Sequence, residues 1–131
     1  KRNKRIIFTG FQKDVRLYFA ISDTLVFPSY REGFPNVVMQ AGAMNLPSIV
    51  TNINGCNEII KNNINGKIIP VKDAKSLYKE MIFFIENRKD IQEMKNKARN
   101  IIVDNYQSEV VWKSLLNEYQ SLEFSNVFLI L

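Results

Sequence analysis

Short apolar runs bounded by glycine or proline alternate with helix-like stretches through the first ~70 residues, the rhythm of βαβ units that build a parallel sheet. Ile6-Ile7-Phe8-Thr9 ends at Gly10, and Leu25-Val26-Phe27 is stopped by Pro28-Ser29. Ser48-Ile49-Val50-Thr51 is entered through Pro47, and Lys67-Ile68-Ile69-Pro70-Val71 follows Asn65-Gly66. Continuous apolar runs of this length suit strands buried on both faces, whereas a half-exposed strand would alternate with polar residues.

The spacing predicts helices over 35–45 and 56–62, and a short earlier one that Asp14 caps and that carries Val15, Tyr18, Phe19 and Ile21. Beyond Asp73 the apolar period becomes helical throughout. Leu77, Met81, Phe84 and Ile85 form one stripe, Ile91, Met94, Ala98, Ile101 and Ile102 a second, and Val110, Val111, Leu115 and Tyr119 a third. The expected fold is therefore α/β, a Rossmann-like parallel sheet of about four strands flanked by helices, with a helical C-terminal tail. Residues 1–131 read as one partial domain: βα units over 1–72, helices over 73–123, and an extra tail over 124–131. That tail is too short to span a bilayer and reads equally as a docking segment or as chain packed on the body.

Composition removes several kinds of chemistry. The chain has no histidine, which excludes Ser-His nucleophile systems and most zinc sites, so no metal site is expected. Its one cysteine, Cys56, has no internal disulfide partner and suits a reducing cytoplasm. Eighteen Lys and Arg against thirteen Asp and Glu give a net charge of +5. That balance suits an anionic small molecule or the inner face of a membrane, and no nucleic-acid-binding motif accompanies it. Arg88, Lys89, Lys95, Lys97 and Arg99 are expected on the solvated face of a helix, with Glu93 and Lys97 paired four apart. Trp112, Tyr106 and Tyr119 are expected in the core rather than as a sugar-stacking platform.

The stretch from Pro28 to Ala41 carries the most chemistry. It leaves a strand and opens a helix, and ligands of open parallel sheets bind beyond the carboxyl ends of the strands. Pro35 suits the first helical position, and the free N–H groups of Gly33, Phe34, Asn36 and Val37 would make a seat for phosphate. Asn36 and Gln40 are four apart and share a helix face, with Glu32 in the loop above. A carboxylate and two amides on one wall could bind sugar and ribose hydroxyls. The same residues also make an ordinary helix start, with proline near its head and an acidic residue upstream. Gly55 supplies either a positive-φ turn or a close approach to a ligand, and Cys56 reads as a small packing residue.

Phe27-Pro28-Ser29-Tyr30-Arg31-Glu32-Gly33-Phe34-Pro35-Asn36-Val37-Val38 resembles the signature of the family 4 glycosyltransferases, which have the GT-B fold. Ala41-Gly42-Ala43-Met44-Asn45-Leu46-Pro47-Ser48-Ile49-Val50-Thr51, Ile7-Phe8-Thr9-Gly10, Gly55-Cys56-Asn57-Glu58-Ile59-Ile60 and Asn65-Gly66 add matches in order over about residues 6–120. The resemblance implies the nucleotide-sugar-binding C-terminal domain of a retaining transferase working in surface polysaccharide synthesis. Glu32 would be the catalytic residue on the donor-sugar hydroxyls. Gly10, Gly33, Phe34, Asn36, Val37 and Gln40 would complete donor binding. The donor would be a UDP-sugar, with no cofactor.

The sequence departs from that family pattern in two ways. Gln40 stands where the family usually has a second glutamate, on the ribose of the nucleotide. A neutral amide there should weaken ribose binding by about 1 kcal/mol. The resemblance also implies an upstream strand and helix whose Arg and Lys neutralise the diphosphate, and an N-terminal acceptor-binding domain as partner. Neither has a counterpart here; Lys1 to Arg5 read instead as the solvated end of a helix or linker. The chain alone is therefore expected to be inactive, and a non-catalytic nucleotide-sugar-binding module is the alternative. A GT-B-type epimerase would need histidines that are missing.

Overall fold

A computed structural model describes residues 5–123. Three parallel strands, β1 (Leu25–Phe27), β2 (Ser48–Thr51) and β3 (Gly66–Ile69), lie in the order β1-β2-β3. Val26 is in register with Ile49, and Ile49 with Lys67. Helices α1 (Arg16–Ala20), α2 (Asn36–Ala43) and α3 (Cys56–Ile59) precede or link the strands. After β3 come α4 (Ala74–Glu86), α5 (Arg88–Tyr106) and α6 (Ser108–Glu123).

The central strand shows why the apolar runs were unbroken: all four residues of β2 are buried. Neighbouring strand residues point to opposite faces, so Val50 and Ile49 enter different cores. Val50 packs with Val38, Cys56, Ile59, Ile60 and Ile102, and Ile49 with Ile69, Phe84, Ile91 and Met94. Helix α5 contributes to both cores, through Ile91 and Met94 early and Ile102 late. Gly42 lets α2 and α5 meet, because a Cβ there would lie 2.8 Å from Ile102 Cγ1. The Asn65-Gly66 turn is tied down by Asn65, whose buried side chain accepts from Lys61 N at 2.7 Å and donates to the Ile59 carbonyl at 3.1 Å.

Four sequence expectations need correction. Ile6-Ile7-Phe8-Thr9 is not a strand; Ile7 is 81% and Phe8 72% exposed, so the described sheet has three strands rather than about four. An apolar run becomes a strand only beside a neighbour that takes its backbone hydrogen bonds, and no described strand lies next to this one. The helix expected over 56–62 ends at Ile59, since Ile60 is extended (φ −94°, ψ 125°) and Asn62 bridges to Gly66. The α6 stripe is not core, with Leu115 52% and Tyr119 62% exposed; Trp112 is also exposed, whereas Tyr106 packs against the core as expected. The basic side chains of α5 mostly face solvent, as expected, and two of them also bind neighbours. Lys95 pairs with Asp23 at 3.2 Å, and Arg99 donates to the Ala43 carbonyl at the end of α2 at 2.6 Å. Glu93–Lys97 is not among the ion pairs of the described residues.

Asp14 is placed near its expected role, accepting from Arg16 N at 3.0 Å, although Val15 is the residue that flanks α1. The basic residues Lys1, Arg2 and Lys4 and the 124–131 tail lie outside the described residues.

Candidate functional site

The strands deliver Phe27, Thr51 and Ile69 to one rim of the sheet, and the loops that leave that rim form the site. Thr51 Oγ1 donates to the Ser29 carbonyl, fastening the loop after β1 to the end of β2. Ser29 Oγ then donates to Glu32 Oε1 at 2.7 Å. A hydroxyl bonded to a carboxylate is a charge-assisted contact that fixes the acceptor's direction. Glu32 is half-buried and borders an open cleft of about 750 Å³ with Tyr30, Arg31, Gly33, Ile53 and Asn54.

Helix α2 begins beside that cleft. Pro35 flanks it at ψ 102°, one position earlier than the sequence suggested, and its carbonyl accepts from Val38 N at 3.0 Å. The first N–H groups of a helix have no intrahelical partner, which leaves those of Asn36 and Val37 at the head. The Asn36 side chain is exposed, whereas that of Val37 packs into the core, so Val37 can offer a ligand only its backbone.

The loop is braced from behind. Gly55 sits at φ 75°, and a Cβ there would run into the Gly33 carbonyl and lie 2.8 Å from Pro35 Cδ. It thus serves both uses weighed from the sequence, a positive-φ turn and a close approach, but what approaches is the chain's own Gly33–Pro35 backbone. Glu58 accepts from Gly55 N at 3.2 Å. The Phe34 ring packs on Tyr106 with centroids 5.4 Å apart, and Tyr106 Oη donates to the Glu58 carbonyl at 3.0 Å. Cys56 is fully buried, and burial, with the nearby Glu32 charge, pushes its thiol up to about 11.

Gln40 does not border the Glu32 cleft. It lines a second one, of about 700 Å³, with Lys13, Val15, Arg16 and Met44. There Arg16 grips Asp14 through Nε at 2.9 Å and Nη2 at 2.6 Å, and this grip holds the Asp14 carboxyl at about 2. Glu32 and Gln40 therefore occupy separate clefts, with the head of α2 carrying the chain from one to the other. Gly10, at φ 65° in exposed chain, borders neither. Among the described residues no group of three or more His, Cys, Asp or Glu could hold a metal ion.

The sequence model of the family described as "Glycosyl transferases group 1" matches residues 1–101. The chain belongs to the group 1 glycosyltransferases.

Curated relatives of this group 1 glycosyltransferase include a UDP-Gal:alpha-D-GlcNAc-diphosphoundecaprenol alpha-1,3-galactosyltransferase of Escherichia coli. It is 33% identical over 79% of this chain and 26% of its own length. The capsular polysaccharide biosynthesis glycosyltransferase CapM of Staphylococcus aureus is 24% identical over 92% of this chain and 32% of its own. The chain thus spans about a quarter to a third of the curated relatives it matches. A glycosyltransferase from Rickettsia africae superposes with a TM-score of 0.83 at 24% identity, over 95% of this chain and 33% of that one. Anabaena Alr3699/HepE in complex with UDP superposes at 0.81 and 19% identity, over 87% and 32%. These likenesses establish the fold of the glycosyltransferase domain.

Sequence reasoning missed Ser29, Arg31, Lys13 and Arg16 as cleft residues. Ser29 could have been found, since it stands three residues before Glu32 in a turn-prone loop. Lys13 and Arg16 gave no signal beyond an Asp-x-Arg pattern.

Proposed function

We propose that this group 1 glycosyltransferase domain holds the sugar-nucleotide donor, a UDP-linked sugar, for a retaining transfer in surface-glycan synthesis. One observation carries the reading: Ser29 aims the Glu32 carboxylate at the carboxyl rim of the sheet, beside the head of α2. The sugar lies in the Glu32 cleft, where the carboxylate accepts from its hydroxyls. The diphosphate lies at the Asn36 and Val37 N–H groups, which favour negative charge through the helix dipole. The ribose reaches Gln40 and the cleft beside Lys13 and Arg16. The N–H donors also meet charge that grows on the diphosphate as it departs, the step that electrostatic preorganisation helps most.

Support for a diphosphate-linked donor comes from relatives: one curated name specifies UDP-Gal, and HepE was solved with UDP and with UDP-glucose. The same curated name specifies a diphosphoundecaprenol-linked acceptor, and we extend that acceptor class to the whole protein of which this domain is a part. The chain by itself is a binding unit, with no turnover expected without an acceptor-binding domain. The buried free thiol of Cys56 fits the cytoplasmic side, where nucleotide sugars are used.

Titration of the chain with UDP, GDP and ADP, followed by calorimetry and by NMR, tests the reading. UDP should bind most tightly, with amide shifts at Asn36 and Val37. Equal binding of all three, or shifts remote from α2, would overturn it.

A further inference from the structure

The loop after β2 forms the second wall of the Glu32 cleft, and its three asparagines differ in what they are free to bind. Asn52 and Asn57 engage each other, Asn57 Nδ2 donating to Asn52 Oδ1 at 3.0 Å. Asn54, between them, is exposed and borders the cleft, and its side-chain amide has no hydrogen-bond partner among the described residues. The backbone on either side of it is fixed. Ile53 N donates to the Thr51 carbonyl at 2.9 Å and the Ile53 carbonyl accepts from Asn57 N at 3.1 Å, while Gly55 N donates to Glu58 Oε1 at 3.2 Å. A free amide on a fixed stretch of chain costs little ordering when a ligand binds. Ile53 lines the same cleft, half-buried against the Val50 core.

An amide beside an aliphatic side chain matches a substituent with the same two parts. An acetamido group has a carbonyl that can accept from Asn54 Nδ2, an N–H that can donate to Asn54 Oδ1, and a methyl that leaves water against Ile53. The charges of the two ionised side chains on the cleft, Arg31 and Glu32, cancel, so a neutral substituent suits it better than a carboxylate or an ammonium. We propose that the donor sugar is an N-acetylhexosamine, with Asn54 and Ile53 reading its acetamido group while Glu32 takes the ring hydroxyls. This deepens the donor reading and rests on it: Glu32 recognises a hexose, and Asn54 chooses among hexoses. Because Asn54 is exposed, water replaces part of a missing partner, and the preference is moderate rather than absolute.

The test is calorimetric titration of the 131-residue chain and of Asn54→Ala with UDP, UDP-glucose, UDP-galactose, UDP-N-acetylglucosamine and UDP-N-acetylgalactosamine. In the parent, at least one acetamido sugar should bind roughly tenfold more tightly than the hexose it corresponds to. Asn54→Ala, at an exposed position, should lose most of that preference and leave UDP affinity unchanged. Equal affinities within both pairs in the parent would overturn the acetamido assignment. So would a preference that Asn54→Ala leaves intact. Either result, with a UDP-hexose still bound more tightly than UDP, leaves the donor cleft standing. Failure of UDP and of all four UDP-sugars to bind would remove the donor reading, and this assignment with it.

Discussion

Ser29 Oγ holds Glu32 Oε1 at 2.7 Å while the Ser29 carbonyl accepts from Thr51 Oγ1. One residue thus joins the end of β2 to the carboxylate proposed to meet the donor sugar. Ser29→Ala keeps the backbone link and removes only the aim of the carboxylate. Affinity for a UDP-hexose should fall by about 1 kcal/mol, roughly fivefold, with little change in affinity for UDP. Calorimetry with both ligands checks it; an equal loss for both would mean that the loop as a whole has shifted.

Gln40 lines the cleft beside Lys13 and Arg16 rather than the one beside Glu32. If ribose reaches it, Gln40→Glu should tighten UDP binding by about 1 kcal/mol, by restoring a charged acceptor. Unchanged or weaker UDP affinity counts against ribose at that end of α2.

The sheet, the helix order and the Glu32 loop were legible because each rests on local pattern. Ser48–Thr51 sets Ile49 and Val50 between two small hydroxyl residues and is the fully buried central strand, and Asp73 caps α4 as its side chain allows. The Ile6–Thr9 run carries the same local pattern and is exposed. Strand formation is a pairing property, and no composition of one segment reveals whether a neighbour exists. The α6 stripe misled for the same reason: Trp112 and Tyr119 have helical spacing, but periodicity does not say what covers a face. The loop after β2 was legible beside Glu32, where Asn54 lies, but the second cleft depended on the approach of α1 to α2, which spacing within one helix cannot show.

Gly55 at φ 75° packs against the Gly33 carbonyl and Pro35. Gly55→Ala should destabilise the fold by about 2 kcal/mol, through the left-handed backbone and the forced retreat of the Gly33 loop. Urea unfolding checks the stability. Donor affinity should fall with it, because the displaced loop carries Glu32; full retention of both would contradict the bracing role.

The buried Cys56 thiol, raised to about 11, should react with iodoacetamide at pH 8 far more slowly than a free cysteine. Its raised value favours the protonated form in the folded state. The associated stability is complete below the ordinary thiol value of 9.0 and is lost as pH climbs toward about 11. Urea midpoints measured from pH 8 to 11 should show this alkaline loss, and Cys56→Ala should lack that share of it. Because the Glu32 charge contributes to the shift, Glu32→Gln should lower the thiol value and speed alkylation.

The central claim is that Glu32 binds the sugar of the donor and not its nucleotide. Titration of the parent chain and of Glu32→Gln with UDP and with a panel of UDP-hexoses measures this directly. At least one UDP-hexose should bind the parent more tightly than UDP does. In the variant that advantage should shrink by roughly tenfold, about 1.4 kcal/mol, with UDP affinity unchanged. A sugar advantage that survives intact in Glu32→Gln, or an equal loss for UDP itself, would contradict it.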